Sequence, residues 1–410
     1  MTYLLTLGVL FTSLTMVVAQ PSGQNFSRVM RYVSDTLVAE EDDVVFFQGM
    51  LFAAYGGVAF PVKVEPKAIT CAVLYSPEGV REITLNLING RKVMQKSISS
   101  VESIVAAGDH ILVATRGGEL FSGRLPSASN TQQGVTCTLF QAEKYIQQLF
   151  AINDSLAGMF EFGMGRPNRN GRGTIGVVRV HGPTMAEWPY PTNSGQVLNS
   201  KQPFLQICAD ADYIYYIDAI TYQILRKKAA LADEPWAEVG RGTLKPYEEK
   251  FYHHYDTVLN VFDAREMLDD LNDEQSLDGE RITSCFIHQG YLFVCKFPFT
   301  SSAKKAYERY WDVWELAPRG LRLVASNLAD HAMDERPSTL DDNFVTAEQF
   351  APISVGDYVY SISILNAGMD IRSGKSAKAS TYDLISTMAG ADLYQFHLVR
   401  RRLDTSLFAK

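Results

Sequence analysis

The chain lacks the short signatures that mark most hydrolases, metalloproteases and nucleotide-binding enzymes. It has no Gly-x-Ser-x-Gly turn to expose a serine nucleophile. It has no His-Glu-x-x-His stretch and no Cys-x-x-Cys pair to hold zinc. Gly163, Gly165, Gly171 and Gly173 lack the lysine and the strand–helix frame of a phosphate loop. The seven histidines show no ligand spacing, and adjacent His253 and His254 on a strand would point to opposite faces. Basic charge is in deficit: 38 Lys and Arg against 46 Asp and Glu give a net charge of -8, which argues against nucleic acid as the main partner. Cysteine is scarce, five in 410 residues, too sparse for a disulfide scaffold. Beyond the N-terminus no apolar run is long enough to span a bilayer.

What is present is ordinary globular material, 46% apolar and 20% charged, enough for a sizeable core. Residues 1–19 form an uncharged apolar stretch ending Val17-Val18-Ala19, which reads as a secretory signal with small residues at the cleavage positions. The alternative is an N-terminal anchor, but the stretch lacks a stop-transfer flank. The C-terminal residues carry no retention or lipid-anchor signal. The expectation is therefore an exported, soluble, extracellular protein with no transmembrane segment after signal removal. Two sequons, at Asn25 and Asn153, fit export as glycosylation sites. Asn153 lies in a turn, where asparagine is also favoured for its backbone conformation alone.

The strongest internal pattern is a strand–turn–strand unit. It reads VVFFQGMLFAAY at 44–55, SIVAAGDHILVAT at 103–115 and LFAINDSLAGMF at 149–160. It returns as FLQICADADYIYYID at 204–218, TSCFIHQGYLFVCKF at 283–297 and PISVGDYVYSISI at 352–364. The runs are short, rich in β-branched and aromatic residues, and broken by Gly or Asp. Both arms are continuously apolar, as in sheets covered on both faces. Further runs supply outer strands: 69–75, 82–87, 119–125, 174–180, 223–226, 312–316 and 393–399. Such repetition predicts an all-β β-propeller of four-stranded antiparallel sheets, with six blades. A seventh is possible in the widest interval, between Ala211 and Gly290, with strands from 251–261. The expected limits are a signal at 1–19, a lead-in at 20–43, the propeller at 44–400 and a tail at 401–410.

The segment DYIYYIDAITYQILRKK at 212–228 resembles the YWTD-type and related secreted β-propeller repeats. Ile214-Tyr215-Tyr216 and Asp218 match the aromatic strand, and Ile224 and Arg226 follow it. The resemblance covers this one unit and implies a propeller without specifying a ligand. In propellers the turn between the first two strands lies opposite the usual ligand face. Functional residues are then expected at the entries to the first strands and in the loops after the second.

Those entries carry Asp43, Glu102, Glu280 and Glu348. Converging at a channel mouth, they would bind a hard cation such as Ca²⁺, as the calcium-dependent propeller hydrolases and lactonases do. The plain alternative is four solvated loop carboxylates, since they keep no fixed offset from the turns. The loops after the second strands carry Arg166, Arg169 and Arg172 in one unit, and Arg372, Lys375 and Lys378 in another. On an acidic protein such groups suit a carboxylate, a sulfate or an anionic glycan, or else only keep a loop soluble. The expected role is non-catalytic: binding of an extracellular protein or anionic glycan on the loop face, without a cofactor. The alternatives are the Ca²⁺-dependent hydrolase or lactonase and a lyase or glycan-processing propeller. Cys285 and Cys295 face each other across one hairpin. A three-residue turn would let them bridge, and a two-residue turn would slip them out of register.

Overall fold

The structure is a computed structural model. It describes residues 26–40, 51–64, 68–77, 79, 82–90, 92–93, 101–115, 117–127, 134–161, 174–182, 184–189, 191, 206–218, 221–245, 279–299, 310–318, 320–329, 352–366, 369–370, 375–376 and 394–408.

After one helical turn (Phe26–Val29) the chain enters β1 (Met30–Glu40). Strands then follow in fours. The first set is β2 (Phe52–Ala54), β3 (Gly57–Val64), β4 (Ala68–Leu74) and β5 (Glu82–Asn89), with a short β6 (Lys92–Val93) paired to β5. The second is β7 (Val101–Ala107), β8 (His110–Thr115), β9 (Leu120–Arg124) and β10 (Val135–Gln141). The third is β11 (Ile146–Asn153), β12 (Leu156–Glu161), β13 (Thr174–Arg179) and β14 (Met185–Pro189). The fourth is β15 (Ile207–Ala209), β16 (Tyr213–Ile217), β17 (Gln223–Lys228) and β18 (Ala237–Arg241). The fifth is β19 (Gly279–His288), β20 (Tyr291–Phe299), β21 (Tyr310–Ala317) and β22 (Gly320–Ala329). The sixth holds β23 (Ile353–Val355) and β24 (Tyr358–Asn366). A small β25 (Met369–Asp370) and β26 (Lys375–Ser376) pair with each other before β27 (Tyr394–Leu403) completes the C-terminal strands.

The sixth set takes its fourth strand from the other end of the chain. Its order is β1-β27-β24-β23, all antiparallel, so the N-terminal strand zips onto the last one. The first two sets are joined further: outer strands β5 and β10 pair in parallel, from Val135 opposite Leu85 to Thr138 opposite Ile88. The inner strands touch in sequence around a ring, β2–β7–β11–β15–β19–β23 and back to β2.

Burial follows from this stacking. Strands sandwiched between neighbouring sheets are apolar on both faces. In β8, β12 and β16 every residue but the terminal ones is buried. Outer strands alternate instead, as β4 and β5 do. Among the described residues, the buried apolar side chains form clusters that each fill one seam between consecutive sets. Val105, Leu112, Met159 and Val178 fill the seam between the second and third sets. Tyr215, Ile224, Leu292 and Trp314 fill that between the fourth and fifth. Phe60, Tyr360 and Leu398 fill the seam between the sixth and first, where the ring closes. The protein is an all-β propeller of small four-stranded antiparallel sheets; among the described residues four such sheets stand alone, and the first two sets run together as one nine-stranded sheet. Residues 246–278, which include the proposed seventh-set strands at 251–261, lie outside the described ones.

The first described hairpin turns at Tyr55-Gly56, where φ values of 51° and 68° give the left-handed pair that suits a two-residue turn; the expected turn at Gln48-Gly49 lies outside the described residues. The run read as its second arm, 50–55, ends in the inner strand β2. β1 lies within the expected lead-in at 20–43, and β27 runs on to Leu403. Finally, Cys285 and Cys295 are not bridged. The turn is the two-residue Gln289-Gly290, and Cys285 pairs with Val294 while Cys295 pairs with Ser284. The two thiols lie in different seams, Cys285 in the fourth–fifth and Cys295 in the fifth–sixth, and neither is in a disulfide.

Candidate functional site

Two of the four anticipated carboxylates are described. Glu102 stands on β7 and Glu280 on β19, inner strands on opposite sides of the ring with two others between them in either direction. The Glu280 carboxylate accepts from the backbone N–H of Lys245 at 2.8 Å. Asp43 and Glu348 lie outside the described residues. Of the basic group, Arg166, Arg169, Arg172, Arg372 and Lys378 also lie outside them, and Lys375 opens β26.

The roots of both basic segments are described. Glu161 pairs with Thr174 where 162–173 departs, and Asn366 pairs with Tyr394 where 367–393 departs. In each sheet these roots lie at the far ends of the strands from the tight turn joining the first two. Both segments therefore leave from the same face of the ring.

The tight turns themselves are framework. Asn153 Oδ1 accepts from the N–H groups of Ser155 and Leu156, each at 3.0 Å, and its Nδ2 donates to the carbonyl of Ala211 at 3.0 Å in the next sheet's turn. Asp210 caps the corresponding turn, accepting from the Tyr213 N–H at 2.7 Å. Within the unit at 212–228, Asp218 is fully buried and accepts from the Thr221 N–H at 2.8 Å. Arg226 lies over the Tyr213 ring, 4.3 Å from its centroid. Asp218 organises its own sheet, while Arg226 also donates to the Pro318 carbonyl at 3.4 Å, in the turn between β21 and β22 of the fifth set.

One buried polar network bridges two sheets. Asp312 on β21 pairs with Lys296 on β20 at 3.0 Å, with both side chains almost wholly buried. Asp312 Oδ2 accepts from the Tyr222 hydroxyl at 2.9 Å, and Trp314 Nε1 donates to that hydroxyl at 3.0 Å. Asp312 Oδ1 accepts from the Asn327 N–H at 2.8 Å. Burial, reinforced by the Asp312 charge, raises the Tyr222 pKa well above its usual value, so the phenol stays protonated and donates. With its polar atoms consumed and water excluded, this network holds a seam and offers nothing to a ligand.

A partly exposed cluster of chemically versatile side chains lies on the turn face, at the seam of the second and third sheets. Asp109 ends the turn before β8, His110 opens β8, and His181 sits in the turn between β13 and β14. Turn stacking brings them together. Gly108, at φ 58°, lies so close to the turn below that a Cβ there would sit 2.5 Å from the Asp154 carbonyl oxygen. The imidazole rings of His110 and His181 meet edge to face, with centroids 4.3 Å apart at 84°. Asp109 Oδ1 pairs with His110 Nδ1 at 2.7 Å, and its Oδ2 accepts from Arg124 Nε at 2.7 Å. Hydrogen bonds from His110 and then Arg124 hold the Asp109 carboxyl below the usual carboxylate range. Beside the cluster is a recess of about 340 Å³, lined by His110, Ser122, Arg124, Thr136, Thr138 and His181 among others. Histidine spacing along the chain did not show this group. The available signal was positional: Asp109-His110 and His181-Gly182 occupy turns of consecutive units.

No family model matches the chain, and no curated protein matches it. Among solved structures it is similar to U3-55K, with 10% identity over 85% of this chain and 79% of that one, at a TM-score of 0.39. It is similar to the RRP9 WD40 repeats, at 9% identity over 86% and 79% and a TM-score of 0.39. It is also similar to BamB from Moraxella catarrhalis, at 12% identity over 91% and 98% and a TM-score of 0.36. Likeness at this level carries no argument about function.

Proposed function

We propose that this chain is a secreted, non-catalytic β-propeller that binds a protein partner on its loop face. The supporting observation is the common departure of 162–173 and 367–393 from one face, opposite the tight turns. These segments carry Arg166, Arg169, Arg172, Arg372, Lys375 and Lys378, a local basic group on an acidic chain. Residues on irregular connections held by a rigid scaffold are well placed for recognition. Arginine forks and lysine ammonium groups suit an acidic surface on the partner. The same chemistry favours a second reading, in which an anionic glycan takes the protein's place. Export rests on the apolar stretch at 1–19 and the sequons at Asn25 and Asn153.

The test begins with the full chain expressed in a secreting eukaryotic host. The reading expects protein in the medium, cleaved near Ala19, whose mass falls on N-glycosidase treatment. Labelled protein is then applied to source-species cells pretreated with protease or with glycan-degrading enzymes. Loss of saturable binding after protease supports a protein partner. Loss only after glycan removal supports the second reading. Retention of the protein inside the host overturns the extracellular assignment.

A further inference from the structure

We propose that His110 and His181, with Asp109 behind His110, form a site for a divalent transition-metal ion of the zinc class, bridging the second and third sheets. One donor atom from each of the three residues lies within 4.8 Å of the others. Among the described residues this is the group of three or more potential ligands that the structure brings together. Two imidazoles suit zinc, copper or nickel and are poor partners for Ca²⁺, which takes oxygen ligands.

The surroundings are those of a supported ligand pair. With His110 Nδ1 engaged by Asp109 Oδ1 at 2.7 Å, Nε2 is the nitrogen left to bind a metal. Arg124 fixes the other oxygen of the same carboxylate at 2.7 Å, so the group that orients His110 is itself oriented. The two histidines come from different sheets, and the turn contact at Gly108 and Asp154 sets their approach. His110 is partly buried, with 19% of its side chain exposed, and His181 is exposed at the turn tip. An ion can therefore reach both without the fold opening. The recess of about 340 Å³ alongside leaves room for water or a partner's side chain to complete the coordination. The site lies on the turn face, away from the roots of the basic segments, so it stands independently of the loop-face reading.

The experiment is calorimetric titration of Zn²⁺ into the full-length mature protein after chelator treatment, with Co²⁺ absorption as a second readout. The expected result is one saturable equivalent, weakened at least tenfold by His110→Gln and by His181→Gln and abolished in the double variant. Asp109→Asn should weaken binding less than either histidine change, because it removes the orienting group and keeps both nitrogens. Co²⁺ spectra should show nitrogen and oxygen ligation without thiolate charge-transfer bands. Equal unfolding midpoints of wild type and variants without metal show that the variants fold. The proposal is overturned if the double variant binds Zn²⁺ as tightly as wild type, if wild type binds none, or if thiolate bands appear.

Discussion

The hydroxyl of Tyr222 donates to Oδ2 of Asp312 at 2.9 Å, across the seam between the fourth and fifth sheets. The link joins two sheets through a buried phenol and a buried carboxylate, and Gly242 makes room for it. A Cβ at Gly242 would lie 2.1 Å from the Tyr222 ring. Tyr222→Phe removes this bond and the acceptor for Trp314, and should cost about 1–3 kcal/mol. Asp312→Ala should cost more, about 3–5 kcal/mol, because it leaves the Lys296 ammonium buried without its partner. Denaturant midpoints of the two variants check that order. Equal, negligible losses would mean the network does not hold the seam.

Gly108 marks a close turn-to-turn approach between the second and third sheets. Alanine there meets both the φ of 58° and the Asp154 carbonyl at 2.5 Å. We expect a loss of about 1–3 kcal/mol in thermal or chemical unfolding. Gly290, also at positive φ but with open space around its Cβ position, is the control. Gly290→Ala should cost less, because it carries only the backbone strain.

Stability should depend on pH through His288. The residue is 1% exposed, and its Nδ1 lies 2.8 Å from the Ser354 hydroxyl. Burial lowers its pKa from 6.5 to about 4, and the charge of nearby Asp357 only partly opposes this. Between these values the unfolded chain binds more protons than the folded one. The contribution of neutral His288 is therefore whole above about pH 6.5, is lost as pH falls toward 4, and changes no further below that. Melting temperatures across this window should fall less steeply for His288→Gln than for wild type.

The ring closes through β1. Its strand pairs with β27 from Met30 opposite Leu403 to Glu40 opposite Gln395, and Asp35 Oδ2 pairs with His397 Nδ1 at 2.9 Å. Thr36 and Tyr75 share a hydroxyl contact at 2.6 Å that ties β1 to the first set. Deleting residues 1–25 should leave the cooperative unfolding transition in place. Deleting 1–40 should abolish it or lower its midpoint sharply, since β27 loses its neighbour and the seam between the fifth and sixth sets loses Phe26, Val29 and Met30. A chain without residues 1–40 that melts like the longer one would contradict the closure.

The legible parts of the fold were those buried on both faces. Five hairpins fall where continuous apolar runs meet at Gly, Asp or Asn, because stacked sheets demand apolar residues on both sides. The sequence Met30–Glu40 keeps no strict alternation, with Tyr32-Val33 and Leu37-Val38-Ala39 apolar and Ser34-Asp35-Thr36 polar; its register shifts twice against a partner at the far end of the chain, so no local pattern shows it. Tyr55-Gly56 escaped notice because a tyrosine at positive φ is an uncommon turn former. The cysteine register depended on one turn residue that spacing left open. His110 and His181 meet only because consecutive turns stack, a relation between sheets that spacing along one chain does not express.

The most direct test of the central claim is binding by the loop face. Serine would replace Arg166, Arg169, Arg172, Arg372, Lys375 and Lys378 together, and the purified, labelled variant would be compared with wild type in saturation binding to source-species cells at physiological salt. The account predicts an unchanged melting temperature and an affinity at least tenfold weaker. Saturation curves that superimpose for the folded variant and the wild type would contradict it.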